Sequence, residues 1–360
     1  MNLFSTVLTY PAPSANYGGE TELNRRVMQK ITDGRFDYPI ISPEAMRNAL
    51  REIIASDGYK TEFNTLCNRE RLHPVSGKGK SEESEEGEKQ GLAVKFMEYP
   101  NPEKYTDDFL FGYLMAVKKK ELDKLRKEKG ANYPMKRDSV LRMNMAKALE
   151  AYRFNAVFTQ SPEIKDSPWK PGGGDGKSSS ALLHRETAHT AFQYPFALCG
   201  EDCKPKPVWV RALLKAIGEL ADVAGNQARS YYEMAPASII IRLTPRLVAG
   251  YETYGFRITR DPMDAQSHTH LFPEVIDGIL HDVPELDPDG KPVMEGEETK
   301  KQPKMKPAPD YPSKEFFIGG KIVKDMPQKQ AKKLTERGVT LDRDPQRLLE
   351  TVADKFLGGK

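Results

Sequence analysis

Asn24, Arg25 and Arg26 stand just before a helix-start signal, and Arg47 and Arg51 fall one turn apart in the segment that follows. Lys136, Arg137 and Arg142 form a second cationic group, and Gly225, Asn226, Gln227 and Arg229 a third. Glycine exposes backbone N–H groups, amide side chains reach sugar hydroxyls, and arginine holds phosphate in a two-pronged fork. Together these groups carry the donors that a nucleic-acid backbone requires. The same residues admit a plainer reading, in which Glu44 pairs with Arg47 three positions on and the rest is solvated surface charge.

Other chemistries lack their residues. Gly176-Lys177-Ser178 ends like a phosphate-binding loop, but the glycine needed five positions earlier is Pro171; Gly79-Lys80-Ser81 fails in the same way, with Pro74 in that place. His184 and His189 lie five apart, which puts them on different faces of a helix. His268 and His270 would share a face of a strand and suit a metal, yet Asp264 and His281 would have to complete the site through the fold. A polar surface loop is the other reading of that stretch. Cys199 and Cys203 enclose a short Gly-Glu-Asp turn and Cys67 lies far off, which is not the ligand spacing of structural zinc. Asp107–Asp108 is mere adjacency of common residues, and neither a nucleophile elbow nor a Cys/His dyad stands out. The sequence therefore predicts no catalytic residue, no metal and no cofactor.

Across 360 residues, 38% are hydrophobic and 30% charged, a globular composition with a wet surface. The formal net charge of +3 and a pI near 8.5 neither demand nor exclude nucleic acid, because binding depends on where charge clusters. No apolar run reaches the roughly 18 residues of a membrane helix, and the start, MNLFSTVLTYPAP, lacks the features of a signal peptide. A cytoplasmic protein with no membrane partner is expected.

The elements that must position these groups follow from periodicity. LFSTVLTY at 3–10 predicts a strand closed by Pro11 and Pro13. Ser42 as N-cap, Pro43 at the first helical position and Glu44 open a helix whose stripe is Ala45, Met46, Ala49, Leu50, Ile53 and Ile54, with Arg47, Asn48 and Arg51 on the solvent side. YRFNAVFTQ at 152–160 predicts the second strand and TAFQYPFAL at 190–198 the third. A helix from about Val208 to Ala224 follows, then SIIIRLT at 238–244, a strand buried on both faces. SGKGKSEESEEGEKQG at 76–91 is a low-complexity insertion, SPWKPGGGDGKSSS at 167–180 a glycine loop, and 283–312 a polar insertion. FFIGGKIV adds a last strand before a polar helix. The order βαββαβ predicts an α+β, ferredoxin-like fold whose open sheet is common among RNA-binding modules.

Four stretches add a resemblance. YPIISPEAMRNALRE at 38–52 resembles the first-helix motif of the Cas-seven family, the repeated backbone subunit of type I CRISPR complexes. LLHRETAHTAFQYPFAL at 182–198, DDFLFGYLMA with KRDSVLRMN, and VAGNQARSYYEMAPASIIIRLT at 223–244 are similar to its DevR-like branch of type I-B systems. The resemblance implies a hand-shaped protein. An RRM-like palm would comprise 1–56, 151–160 and 188–260, with fingers at 57–150, a thumb at 161–187 and a C-terminal extension at 261–360. It implies a Cascade backbone that binds guide RNA through Asn24, Arg25, Arg26, Ser42, Arg47, Arg51, Gly225, Asn226, Gln227 and Arg229, and more weakly through Lys136, Arg137 and Arg142. Its partners would be guide RNA, the target DNA strand paired with it, several head-to-tail copies of the chain and other Cascade subunits. Two rivals stay open. Type III relatives cleave RNA with an aspartate in the loop after the first strand, where Asp33 lies; and a regulatory or structural protein would hold no nucleic acid.

Overall fold

The structure, a computed structural model, describes residues 1–14, 20–21, 25–71, 94–115, 123–124, 126–127, 130, 134–160, 182–221, 223, 233–260, 268–296 and 302–358. The expected insertion at 76–91 and the glycine loop at 167–180 lie outside the described residues, as does Asp264.

In chain order the main elements are β1 (Asn2–Leu8), β2 (Lys30–Asp33), β3 (Phe36–Ile41), α1 (Pro43–Ile54), β4 (Ala146–Ala148), β5 (Phe192–Cys199), α2 (Pro207–Gly218) and β6 (Ser238–Thr244). There follow α3 (Pro273–Leu280), β7 (Phe316–Gly320), α4 (Gln328–Glu336), β8 (Thr340–Asp342) and α5 (Pro345–Phe356). The eight strands line up as β8-β7-β6-β1-β5-β4-β3-β2, and Arg142–Met143 makes a ninth, short pairing with β5. β1 sits at the centre, antiparallel to β5 through Phe4↔Ala197 and to β6 through Phe4↔Arg242; β7 and β8 are parallel. The chain is an α+β protein around one large mixed sheet.

Alternation along β1 sends Leu3 and Val7 to one face and Leu8 to the other. The first face meets Met46, Leu50 and Ile54 of α1, Leu213, Leu214 and Ile217 of α2, and Leu348 and Val352 of α5. On the second face Leu8, Ile240 and Ile318 meet Phe256, Phe272, Val275 and Ile279. All seven residues of β6 are consequently buried, as its near-continuous aliphatic run requires. The segment after β6 is tied down by polar bonds as well: Thr6 Oγ1 donates to Thr253 O (2.9 Å), and Phe256 N donates to Gln193 Oε1 (3.1 Å).

Two expected elements fall elsewhere. The strand in YRFNAVFTQ forms at Ala156–Gln160, but it pairs with Leu182–Glu186 in a separate four-stranded sheet. Its expected place beside β5 is taken by β4, through Lys147↔Gln193 and Ala148↔Phe192. FFIGGKIV also divides: the strand stops at Gly320, whose φ of +89° turns the chain, and Lys321–Asp325 is helical.

Candidate nucleic-acid interface

α1 begins as the sequence predicts. Ser42 is extended (φ −68°, ψ 149°), and its Oγ accepts from Ala45 N at 3.2 Å, with Pro43 next. That hydroxyl keeps its proton for a further acceptor. Arg47 is half-buried with its Nε enclosed, and among the described residues no hydrogen bond or ion pair engages its guanidinium. The Glu44–Arg47 pair of the plainer reading is not formed. An arginine anchored by its stem with an uncommitted fork is suited to a phosphate.

Arg51 is different, and its expected solvent position needs correction. Only 12% of its side chain is exposed; Nε lies 3.6 Å from Asp107 Oδ2, and the guanidinium sits 4.7 Å from the Phe111 ring centre. The cause is a second layer over α1. Residues 64–69 cross the end of the helix, with Thr65 Oγ1 donating to Ile54 O (2.7 Å), and the short helix Thr106–Phe111 covers what would be its polar side. Burial, and then nearby Arg69, pulls the Arg51 pKa down to about 10.

Asp107 and Asp108, both fully buried, organise that layer. Asp107 accepts from Asn68 N (2.7 Å) and Arg69 N (3.1 Å), while Asp108 Oδ2 accepts from Asn68 Nδ2 (2.9 Å) and Asn101 N (2.8 Å). Burial pushes the Asp108 carboxyl up. Periodicity offers no signal for this box, because Asn68 and Arg69 lie 38 to 40 residues before the aspartates they bond.

Lys136 is exposed on a strand beside Tyr113–Leu114. Arg137 next to it donates to Phe109 O (3.2 Å) and covers the Phe109 ring at 5.0 Å, so it clamps the same short helix that holds Arg51. Arg142 shares a cross-strand row with Ala197 and Phe4 on the face opposite α1, and its NH2 lies 3.3 Å from Asp202. Arg142, Phe4, Asn144 and Thr253 line a shallow hollow of about 330 Å³ there. Arg25–Arg26 forms a short backbone strand parallel to His184–Arg185. Asn24, Gly225, Asn226, Gln227 and Arg229 lie outside the described residues. The described candidates therefore divide between an α1 side (Ser42, Arg47, Arg51, Arg137) and the opposite face (Arg142).

Asp33 is exposed at the β2–β3 turn and forms an ion pair with Lys147 of β4. His268 and His270 share a strand, as expected, with ring centres 5.3 Å apart, but His281 is bonded to Asp310 instead (3.1 Å). Among the described residues no group of three or more His, Cys, Asp or Glu side chains could hold a metal. Nor is any described helix long and apolar enough to cross a membrane.

No family model matches the chain. It is similar to the CRISPR-associated protein Cas7/Cst2/DevR of Myxococcus xanthus (strain DK1622), at 26% identity over 258 residues that span 70% of this chain and 76% of the relative. Two solved structures are also similar. A chain of a CRISPR RNA-guided surveillance complex, pre-nicking, has 10% identity and a TM-score of 0.41, covering 69% of this chain and 80% of that one. A chain of a CRISPR RNA-guided surveillance complex has 10% identity and a TM-score of 0.36, covering 69% and 72%. Over most of its length, then, the chain is similar in sequence to a CRISPR-associated protein of the Cas7/Cst2/DevR kind.

Proposed function

We propose that this chain is a guide-RNA-binding backbone subunit of a type I CRISPR surveillance complex and that it breaks no bond. The observation that carries the reading is the relationship to a CRISPR-associated protein across 70% of the chain. The order β1-α1-β4-β5-α2-β6 in sequence, with β6-β1-β5-β4 in space and antiparallel pairing between neighbours, supports an RRM-like palm. Of the expected fingers at 57–150, the part before Arg142 acts as fingers, because Arg142–Met143 and β4 pair with β5 in the palm sheet. Residues 161–187 act as the thumb, and Ala156–Gln160 joins its base through Leu182–Glu186.

Copies stack head to tail on one guide RNA beside other subunits, and the guide pairs with a target DNA strand. Holding the guide partly ordered lowers the entropic cost of pairing, so that base pairing reads sequence while protein supplies phosphate contacts. Arg47 is the principal described phosphate ligand, with Ser42 and Lys136 as lesser contacts. Asn24, Arg25, Arg26, Gly225, Asn226, Gln227 and Arg229 belong to the same proposal. Filter binding of Arg47→Glu to guide RNA tests it. Loss of one phosphate contact weakens binding several-fold and reduces the salt slope by about 0.7 for a single strand. Wild-type affinity and slope would remove Arg47 from the interface. The cleavage alternative has its own assay: complementary RNA with magnesium stays intact, whereas regular cuts abolished by Asp33→Ala would establish it.

A further inference from the structure

At one end of β6 the chain makes an exposed apolar knob. Leu247 and Val248 are 77% and 59% exposed, and Arg246 beside them is exposed and unpaired among the described residues. The loop is firmly held. Asn2 Nδ2 donates to Arg246 O (2.9 Å), Arg246 N to Thr244 Oγ1 (3.3 Å) and Arg242 NH1 to Ala249 O (2.6 Å), while Gly250 turns at φ +72°. Two aliphatics on so fixed a backbone lose little freedom on docking. The carbonyls of Leu247 and Val248 accept no protein hydrogen bond among the described residues.

At the other end of β6 lies a half-enclosed cavity of about 370 Å³. Phe272, Ile276, Ile322 and Met326 give it apolar walls, and Asp277 and Gln330 are polar residues of its lining. Asp277 is exposed and unpaired among the described residues. His270, also in the lining, is 1% exposed. Ser238 Oγ accepts from Ile322 N (2.9 Å) and lies 2.7 Å from His270 Nδ1, which fixes the ring that backs the cavity. Apolar walls beside a free carboxylate describe what is missing: an aliphatic side chain and a cation. Arg246-Leu247-Val248 supplies both.

We propose that the Arg246–Val248 knob of one copy docks in the His270–Asp277 cavity of the next, and that this is the head-to-tail contact of the assembly. The inference rests on the stacked-backbone reading above. Knob and cavity are separated by the length of β6, from Asn2↔Thr244 to Leu8↔Ser238, about 20 Å. One chain cannot close this contact on itself. Unlike patches on opposite ends make a heterologous contact, which adds copy after copy until its rotation closes a ring.

Cross-linking tests the contact in the full chain, with Cys199→Ser to remove the partly exposed native thiol. Leu247→Cys with Gln330→Cys is expected to give a ladder of disulfide-linked multimers on oxidation, with and without co-expressed guide RNA. A mixture of the two single-cysteine chains should stop at dimers. Arg246→Glu or Asp277→Arg alone should weaken association roughly tenfold, and the double reversal should restore it. If wild-type chains load in several copies on RNA but no ladder forms, or if the reversals fail to compensate, the contact is wrong and the RNA reading stands. If the ladder forms and the charges compensate in chains that take up no RNA, the contact stands and the RNA reading falls.

Discussion

Arg47 and Arg51 look alike in the sequence, and the structure predicts that they fail in opposite ways when reversed. Arg51→Glu places a carboxylate where the guanidinium now lies 3.6 Å from Asp107, a residue with no exposed side chain. A like-charge contact at about 4 Å in an effective dielectric near 20 costs about 4 kcal/mol. Breaking a buried pair by removing one partner falls in the same range, about 3–5 kcal/mol. That is a large share of a domain's roughly 5–15 kcal/mol. Arg47→Glu disrupts no pair and should change stability by about 0.5 kcal/mol or less. Urea unfolding of RNA-free protein, followed by far-ultraviolet circular dichroism, separates them. With a slope of about 3 kcal/mol per molar, the Arg51→Glu midpoint should fall by more than about 1 M while that of Arg47→Glu stays put. An Arg51→Glu protein that unfolds at the wild-type midpoint would refute the assignment of Arg51 to the packed layer. Equal losses in the two variants would refute the distinction between them.

His270 gives a pH dependence. Burial first, then His268 and Lys321, hold its pKa down to about 4 from an ordinary 6.5. Between those values the unfolded chain binds a proton that the folded chain refuses. This contribution is therefore complete above about pH 6.5 and declines as the pH falls toward 4, by about 3 kcal/mol in all. Urea midpoints across that window should slope for wild type and flatten for His270→Gln. Gly320→Ala should cost about 2–4 kcal/mol by thermal or urea unfolding, because a Cβ there would lie 2.1 Å from Ala237 O at a φ of +89°. A neutral result would mean that the β7–Lys321 junction relaxes freely.

Local signals carried much of the fold. Ser42, Pro43 and the stripe of α1 describe a helix whose cap and buried face are those observed, and SIIIRLT describes a strand enclosed on both sides. α2 ends at Gly218, short of the Ala224 that its hydrophobic period suggests: Leu220 is still buried, but its carbonyl accepts from Met234 N (2.9 Å). The strand beside β5 is illegible because Ala146-Lys147-Ala148 is three residues long and carries no β-branched side chain. The more strand-like AVFTQ pairs with a sequence-distant partner, a choice that no local pattern encodes. The burial of Arg51 escapes the local pattern for a related reason. Helical periodicity tells one face from the other, but not whether a later segment, here residues 64–69 and 106–111, will cover the polar one. The cavity beside His270 is likewise assembled from the His268–Leu271 strand, α3 and the Lys321–Gln330 turn, brought together only by tertiary packing.

The most direct test of the central claim is to express the chain with its partner subunits and a CRISPR array, purify it through a tag, sequence the bound RNA and weigh the intact complex by native mass spectrometry. A uniform guide-length RNA carrying several copies of this chain is the predicted result. A monomer free of nucleic acid under those conditions would contradict the account.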